Sequence, residues 1–550
     1  MLLAHPSIAL ILLWVLIHGI YHSLKPSRSH SLLPFVFTPD HRRRRRFWNL
    51  SSTQVILKGI HLRVQTTAWN ARHDTFTTSL RREWKVTRAL KLLYDVGCLL
   101  GVLGMLAGLG ALLWTCGQTL YILAQKIMAN STQSPDFVKR AVMSQAHEQS
   151  LPQEYKSFIK PIIPGMTVPL SHLPLILFAV FLAQIVHEFG HAIAAALENL
   201  PILSAGAAFT LIMPSAFVTF PTTALEVLPP RSRARIVSAG PFHNILLWIA
   251  LILVQSLGIG ELFWSVGYKD MSHMGRVVVK VDIGSPLYTH LPPGSIITAL
   301  DDTPLGSTDA PQDVWLSYLT GLGSDQGRGL GWCSERRLER PEQCCNSELI
   351  HGLACFLSGD SKRRGCLNPV SILTDGGGNR CNLDSDCAEI STCVRPDEIN
   401  KFLRLSVRRP RSDGVSEVVL WSGPLEEVWA EVHVGKLLPK FSVMPVWLPS
   451  EAQLFWQYLL MGTLSLFFFN LLPMPHLDGS QFLQNILQIA FGDGRTNAVA
   501  YDIEALEAVG DRRNSGFSGR WRDRLSRGIP HVTIGLFVLC ILSGIINVLW

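Results

Sequence analysis

The sequence LPLILFAVFLAQIVHEFGHAIAAALENL, residues 173–200, places a HEFGH motif at 187–191 inside a long apolar run. A run of this length predicts a membrane-spanning helix. His187 and His191 are four residues apart, so on a helix both imidazoles face one side and can share one metal ion. Glu188 then lies beside the metal, where its carboxylate can take a proton from water. Because ionisable groups are costly at this depth and usually mark function, the segment predicts hydrolysis within a membrane.

A catalytic zinc ion usually has three protein ligands, so the third must come from elsewhere. Glu198, seven residues beyond His191, is too distant along the same predicted helix. The better candidate is Asp478 in NLLPMPHLDG (470–479), where prolines and a glycine interrupt an apolar helix. Such breaks occur in membranes where the backbone lines a cavity, and a carboxylate beside one favours a cation. His476 is a weaker alternative.

The composition predicts an α-helical polytopic membrane protein with one sizeable polar insertion. Of 550 residues, 48% are hydrophobic and 17% are charged, and the net charge of +7 comes from basic residues that are scattered or flank apolar runs. No basic patch with interleaved aromatic residues indicates nucleic-acid binding. We expect six or more transmembrane helices, since long apolar segments occur at 7–24, 92–123, 171–197, 236–259, 453–472 and 529–550.

The polar insertion carries most of the cysteines. Eight of the eleven lie in 333–393, and the other three lie in apolar segments. A dense, even-numbered cluster predicts disulfide bonds in an oxidising compartment, whereas a zinc site would favour paired CxxC spacing. We therefore expect 264–450 to be lumenal, which places HEFGH nearer the cytosolic end of its helix.

The side of the membrane on which residues 25–90 lie depends on the apolar segment 92–123. A hairpin of two helices there makes 25–90 lumenal, as the glycosylation sequon at Asn49 favours, and this is the arrangement that we expect. A single span would make 25–90 cytosolic and would explain the arginine run Arg42–Arg46 by the excess of basic residues on cytosolic faces.

Two further segments carry a strand pattern. RVVVKVDIGSPLYTHLPPGSIITALDDTPLGS, from Arg276, places strand-like runs around turn residues, as in PDZ domains, which bind peptides by strand addition. The cysteine-rich segment 333–393 interrupts this domain, which resumes near 400–440; the alternative is a small β domain without a ligand. The apolar loop 201–220, broken by glycine and proline, is expected to re-enter the membrane as strands beside the site.

Three motifs together resemble the site-2 protease family of intramembrane zinc metalloproteases. HEFGH, GPFHN at 240–244 and NLLPMPHLDG occur in that family's order, with a PDZ-like insertion between the last two. The resemblance covers about 165–260 and 445–495. It implies one Zn²⁺ per chain and assigns the site residues: metal ligands His187, His191 and Asp478, the catalytic Glu188, and the substrate-positioning Asn244 and Asn470.

The resemblance also implies a division of the chain. Residues 1–165 would hold N-terminal transmembrane anchors and lumenal loops. The two halves of a catalytic membrane core would be 166–262 and 447–550. Between them, 263–446 would form a lumenal PDZ-like domain with the cysteine-rich insertion.

By resemblance, the expected activity is cleavage of transmembrane segments in membrane-anchored proteins after a first lumenal cut. The eukaryotic form of the family acts on sterol- or stress-responsive transcription factors in the Golgi or endoplasmic reticulum, with the active site toward the cytosol. The bilayer and a peptide at the PDZ-like domain are further expected partners. Two alternatives remain: a housekeeping protease for signal-peptide remnants, and a non-catalytic PDZ-bearing membrane scaffold. The four intact residues His187, Glu188, His191 and Asp478 argue against the scaffold.

Overall fold

The chain divides into two compact units. A computed structural model describes residues 6–24, 52–131, 164, 167–306, 313–320, 330–334, 344–345, 352–358, 363–374, 380–388, 390–397, 402–410, 416–491 and 517–549. The first unit, Met1–Leu253 with Phe455–Trp550, is called the membrane unit. The second, Val254–Leu454, is called the inserted unit.

Helices and strands follow one another along the described chain. The helices are α1 (Pro6–Leu24), α2 (Asn70–Arg82), α3 (Trp84–Ser131), α4 (Leu173–Leu197), α5 (Thr222–Val227), α6 (Pro230–Ser256), α7 (Ile259–Gly267), α8 (Val314–Leu319), α9 (Pro369–Leu373), α10 (Leu425–Glu431), α11 (Leu448–Leu471), α12 (Asp478–Phe491) and α13 (Phe517–Leu549). The strands are β1 (Thr53–Lys58), β2 (His61–Thr66), β3 (Ser204–Thr210), β4 (Met213–Thr219), β5 (Tyr268–Asp270), β6 (Arg276–Val281), β7 (Ile296–Leu300), β8 (Thr303–Pro304), β9 (Gly331–Ser334), β10 (Ala354–Ser358), β11 (Arg364–Leu367), β12 (Arg380–Cys381), β13 (Thr392–Pro396), β14 (Phe402–Arg408), β15 (Ser416–Ser422), β16 (Val432–Gly435) and β17 (Leu437–Pro439).

Within the described residues, five helices are long and apolar enough to cross a membrane. They lie in Trp84–Lys126, Leu170–Leu197, Pro230–Ser256, Leu448–Leu471 and Trp521–Ile546. The multi-pass membrane fold is therefore confirmed, with five full-length spans in this part of the chain where six or more were predicted. The difference arises in α1, whose apolar stretch, Ile8–Ser23, is shorter than the others.

α3 is one continuous helix of 48 residues, so the hairpin predicted for 92–123 is wrong. Its glycines do not interrupt it; instead, those at three successive turns receive the side chains of other helices, as small residues do in membranes: Gly97 against Phe242, Gly101 against Phe482, Gly104 against Phe467. One span leaves the segments before and after it on opposite membrane faces. The predicted lumenal position of residues 25–90 relied on the hairpin and stays a prediction. Arg42–Arg46 and Asn49 themselves lie outside the described residues.

A four-stranded antiparallel sheet joins two hairpins that are far apart in the sequence. Its strand order is β1-β2-β3-β4. The strands expected in 201–220 are present as β3 and β4. Their partner was not predicted: His61–Thr66 pairs in register with Ala205–Thr210. The signal for this hairpin is the sequence TQVILKGIHLRVQT, in which two β-branched runs flank the turn glycine Gly59.

α1 holds the turns of both hairpins. Trp14 Nε1 donates a hydrogen bond of 2.9 Å to the carbonyl of Leu211, between β3 and β4. His18 Nε2 lies 3.0 Å from the carbonyl of Gly59, between β1 and β2. The Trp14 side chain is only 6% exposed, whereas Ile11 and Val15 of the same helix are exposed. Trp14 is thus the residue through which α1 packs against the sheet.

We expect Trp14→Leu to loosen the β3–β4 hairpin. The indole hydrogen bond is lost, which is worth about 1 kcal/mol, so local opening should become about fivefold more frequent. Hydrogen exchange of the amides of Ser204–Thr219, followed by mass spectrometry on the full chain, measures this. Ile11→Ala, at an exposed position one turn earlier, is the matched control and should exchange like the unmodified chain. Equal exchange in all three would show that α1 does not hold the hairpin.

The inserted unit contains an antiparallel sheet built from both sides of the cysteine-rich segment. Its order is β15-β14-β7-β6-β16, with β8 beside β7. β7 pairs with β14, so residues before 301 and after 401 meet in adjacent strands. The core beneath it includes Trp315, Leu319 and Leu403, each at most 2% exposed. Whether this sheet functions as a PDZ domain stays a prediction.

The cysteine-rich segment forms a second sheet of its own, with the order β11-β10-β13-β9-β12. All eight of its cysteines are paired: Cys333–Cys387, Cys344–Cys366, Cys345–Cys355 and Cys381–Cys393. These side chains therefore offer no thiolates to a metal. The free cysteines Cys98, Cys116 and Cys540 lie in α3 and α13.

Candidate metal centre

His187, His191 and Asp478 converge on one point in the membrane unit. Asp478 Oδ2 lies 2.8 Å from His187 Nε2 and 3.3 Å from His191 Nε2. The two Nε2 atoms are 3.1 Å apart. These three side chains form a group whose ligand atoms all lie close enough to share one metal ion.

Two helices position these ligands. α4 presents both histidines on one face because they are four residues apart. α11 ends at Leu471, and the proline-rich break that follows turns the chain back, so that Asp478 is the first residue of α12. His476, the weaker candidate, lies in this break with an exposed side chain and a φ of 69°.

Glu198 is engaged elsewhere and is not a ligand. Its Oε1 accepts a hydrogen bond of 3.0 Å from Arg235, and Arg235 also pairs with Asp95 at 2.6 Å. This ion-pair group joins α3, α4 and α6. Arg231, 2.9 Å from Asp95, belongs to it as well. Arg231 and Arg235 therefore tie these three helices together.

The hydrogen bonds behind the histidines show that the group is set up for a cation. His191 Nδ1 lies 2.8 Å from the carbonyl of Ile236, so this nitrogen carries the proton and Nε2 keeps its lone pair. The lone pairs of two imidazoles and a carboxylate then face one another in a buried place, which is unfavourable without a positive charge between them. Tetrahedral zinc with bonds of about 2 Å needs ligand atoms about 3.3 Å apart. The three separations here are 2.8, 3.1 and 3.3 Å, at or somewhat below that value.

Asn244 completes the support of His187. Its side chain is 0% exposed, and its Nδ2 lies 3.1 Å from His187 Nδ1, while its buried Oδ1 has no hydrogen-bond partner among the described residues. A metal on Nε2 requires the proton on Nδ1, which then donates to an amide oxygen. Rotating the amide by 180° meets this need, and oxygen and nitrogen of an amide are assigned from such networks. Asn470 Nδ2 approaches the same nitrogen at 3.5 Å. The predicted role of both asparagines in holding substrate stays a prediction.

Glu188 is held by the edge of the four-stranded sheet. Its Oε2 accepts a hydrogen bond of 2.9 Å from the backbone N–H of Val218 in β4. One turn earlier, Gln184 Oε1 accepts the N–H of Ala216 at 3.1 Å. Sequence reasoning missed Gln184, although a glutamine four residues before Glu188 in an apolar run is a detectable signal. The two side chains fix the register of β4 beside the metal ligands.

Gly240, in the GPFHN motif, leaves room for the histidines. A methyl group on its α carbon would overlap Nε2 of both His187 and His191. α6 therefore approaches the two candidate ligands with its bare backbone.

We expect Gly240→Ala to reduce zinc affinity by about 100-fold or more, because the methyl group occupies the position of the ligand atoms. Zinc content of the purified protein at defined free zinc measures this. Gly110→Ala in α3 is the matched control, because a methyl group there meets no described atom within 4 Å. Full zinc binding by both variants would contradict the assignment.

Comparison with known proteins agrees with this geometry. The family model described as peptidase family M50 matches residues 175–506. A membrane-bound transcription factor site-2 protease homolog of Arabidopsis thaliana is 33% identical over 138 residues. That match spans only 25% of this chain and 26% of the relative. Since the family model covers more than half of the chain and includes all three candidate metal ligands, the chain belongs to peptidase family M50, the site-2 protease family.

Proposed function

We propose that the chain is an intramembrane zinc metalloendopeptidase that cleaves transmembrane segments of membrane-anchored proteins. The observation that carries this proposal is the convergence of His187, His191 and Asp478, with Glu188 beside them, between apolar helices. Family membership supports peptide hydrolysis as the reaction.

His187, His191 and Asp478 would hold the zinc ion. When bound, zinc supplies a Lewis acid that polarises a carbonyl and acidifies a water molecule. Glu188 takes the proton from water and transfers it to the leaving amine. The N–H of Val218 keeps the Glu188 carboxylate oriented, and Asn244 holds the His187 ring. We further propose that Asn244 and Asn470 position the substrate.

The substrate must unwind before it reacts. The carbonyls of a helical peptide are hydrogen-bonded within the helix and are hidden from attack. Residues that destabilise a helix should therefore promote cleavage.

The disulfides and the path of the chain support an orientation that we propose for the protein in the membrane. Disulfide bonds persist on the lumenal side, so α6 would lead out of the cytosol and α4 into it. His187 lies in the second half of α4, which supports a metal centre toward the cytosol. With α3 as a single span, the segment 25–90 is then cytosolic, as the basic run Arg42–Arg46 favours.

The substrates that we propose are membrane-anchored transcription factors, responsive to sterols or stress, which have already been cut on the lumenal side. The family resemblance and the name of the Arabidopsis relative support this class. The proposed location is the Golgi or endoplasmic reticulum. A peptide bound at the β15-β14-β7-β6-β16 sheet would be a further partner.

Cleavage of defined substrates tests the proposal. Cells that lack their own enzyme would express this chain with a membrane-anchored reporter, either intact or already trimmed on the lumenal side. We expect cleavage of the trimmed reporter alone, stronger when its span contains Asn-Pro than Leu-Leu, and lost on zinc chelation. Cleavage of signal-peptide remnants but of neither reporter would favour the housekeeping alternative. If zinc-loaded protein cleaves none of these substrates, the non-catalytic scaffold becomes the favoured alternative.

A further inference from the structure

α7 carries an apolar stripe that faces outward. Ile259, Leu262, Phe263 and Val266 have the spacing i, i+3, i+4 and i+7, which puts them on one face of the helix. In a soluble protein such a stripe faces the core. Here these side chains are 45%, 72%, 69% and 74% exposed.

A second segment of the inserted unit lies against α7 and is also apolar and exposed. In 440–447, Phe441 is 57%, Val443 92% and Trp447 52% exposed. The N–H of Lys440 donates to the carbonyl of Gly267 at 2.9 Å, and Lys440 Nζ donates to that of Ser265 at 2.6 Å.

Further contacts hold the two segments together. Tyr268 donates to the carbonyl of Pro445 at 2.9 Å, and β5 pairs with β17. The first and last parts of the inserted unit thus form one surface, here called the apolar collar. It consists of Leu257, Ile259, Leu262, Phe263, Val266, Phe441, Val443 and Trp447.

The position of the collar in the chain identifies what covers it. Membrane-crossing α6 ends at Ser256, directly before the collar begins, and membrane-crossing α11 starts at Leu448, directly after it ends. The collar is therefore joined directly, at both of its ends in the sequence, to a membrane-crossing helix. Phenylalanine and tryptophan are typical of the boundary between head groups and acyl chains, where an amphipathic helix buries its apolar face by about 5–10 Å.

We propose that the apolar collar is a lipid-binding surface that lies in the membrane interface and holds the inserted unit against the bilayer. α7 lies in the plane of the membrane, with its stripe toward the acyl chains. Gly258, with a φ of 65°, lies between α6 and α7, and its left-handed backbone allows the chain to turn from α6 into this plane. The proposal does not depend on protease activity.

Quenching by brominated lipid tests this in the full-length chain. A small genetically encoded fluorescent amino acid would replace Phe263 or Val443, one at a time, in nanodiscs of phosphatidylcholine. Ile283, an apolar residue of the inserted unit that is 84% exposed and outside the collar, is the matched control position. Discs with bromine near the top of the acyl chains are compared with unbrominated discs.

We expect bromine to lower the emission at 263 and 443 by about twofold or more, and to leave the emission at 283 unchanged, because only the collar lies at acyl-chain depth. Two positions from separate segments must agree. Equal quenching at all three positions, or none at 263 and 443, overturns the proposal. Blue-shifted emission at 263 and 443 without quenching would show that protein covers the collar, and would also overturn it.

Discussion

Glu188→Gln is expected to lower the rate of substrate cleavage by about 10²- to 10⁴-fold while zinc binding persists, because general-base catalysis contributes an effect of this size. Glutamine keeps the shape of the side chain and an oxygen that accepts the N–H of Val218, so the contact with β4 survives. What it loses is the ability to take a proton. The candidate metal ligands His187 and His191 are unchanged.

Single-turnover cleavage of the trimmed reporter, with zinc measured on the same preparation, separates catalysis from metal loss. Glu226→Gln, at an exposed carboxylate on α5, is the matched control and should cleave normally. A Glu188→Gln protein that holds zinc and retains its rate would exclude Glu188 as the base. Loss of zinc in this variant would instead give Glu188 a role in metal binding.

Asp478→Ala is expected to weaken zinc binding by more than about 100-fold, and to abolish cleavage with it, since removing a ligand costs more than removing its outer partner. Two histidines at an i, i+4 spacing remain, but the oxygen that lies 2.8 Å from His187 Nε2 is gone. Alanine is preferred to asparagine here because an amide oxygen could still bind the metal. Titration with a zinc-buffered chelator series gives the affinity.

His476→Gly is the matched control for Asp478. His476 lies two residues away in the same proline-rich break, and glycine tolerates its φ of 69°. We expect this variant to keep its zinc. If this variant loses zinc while Asp478→Ala keeps it, His476 and not Asp478 would be the third ligand.

The convergence of His187, His191 and Asp478 could be predicted from the sequence because it depends on local patterns. Histidines four residues apart share a helix face, and a lone carboxylate beside a break in an apolar helix needs a cation. The support of these ligands could not be predicted. Asn244 and Gly240 act through contacts with another helix, and the spacing within GPFHN does not show whether its glycine marks a kink or a close approach.

The parts of the fold that depend on the length of apolar segments were predicted, and the parts that depend on packing between helices were missed. The apolar spans were found from their length alone. The hairpin expected for 92–123 was wrong because the glycines of α3 admit the rings of neighbouring helices and do not interrupt the helix.

The four-stranded sheet combines two hairpins that are distant in the sequence, and this has a consequence for biogenesis. His61 in β2 and Thr210 in β3 are in contact although 149 residues separate them, and two membrane-crossing helices, α3 and α4, are synthesised between them. During translation the β1–β2 hairpin must wait with an unpaired edge, and closing so long a loop is slow. β4, whose Val218 N–H orients Glu188, is also synthesised after α4. Newly made protein should pass through an inactive stage in which the HEFGH helix is already in the membrane but its sheet is still open.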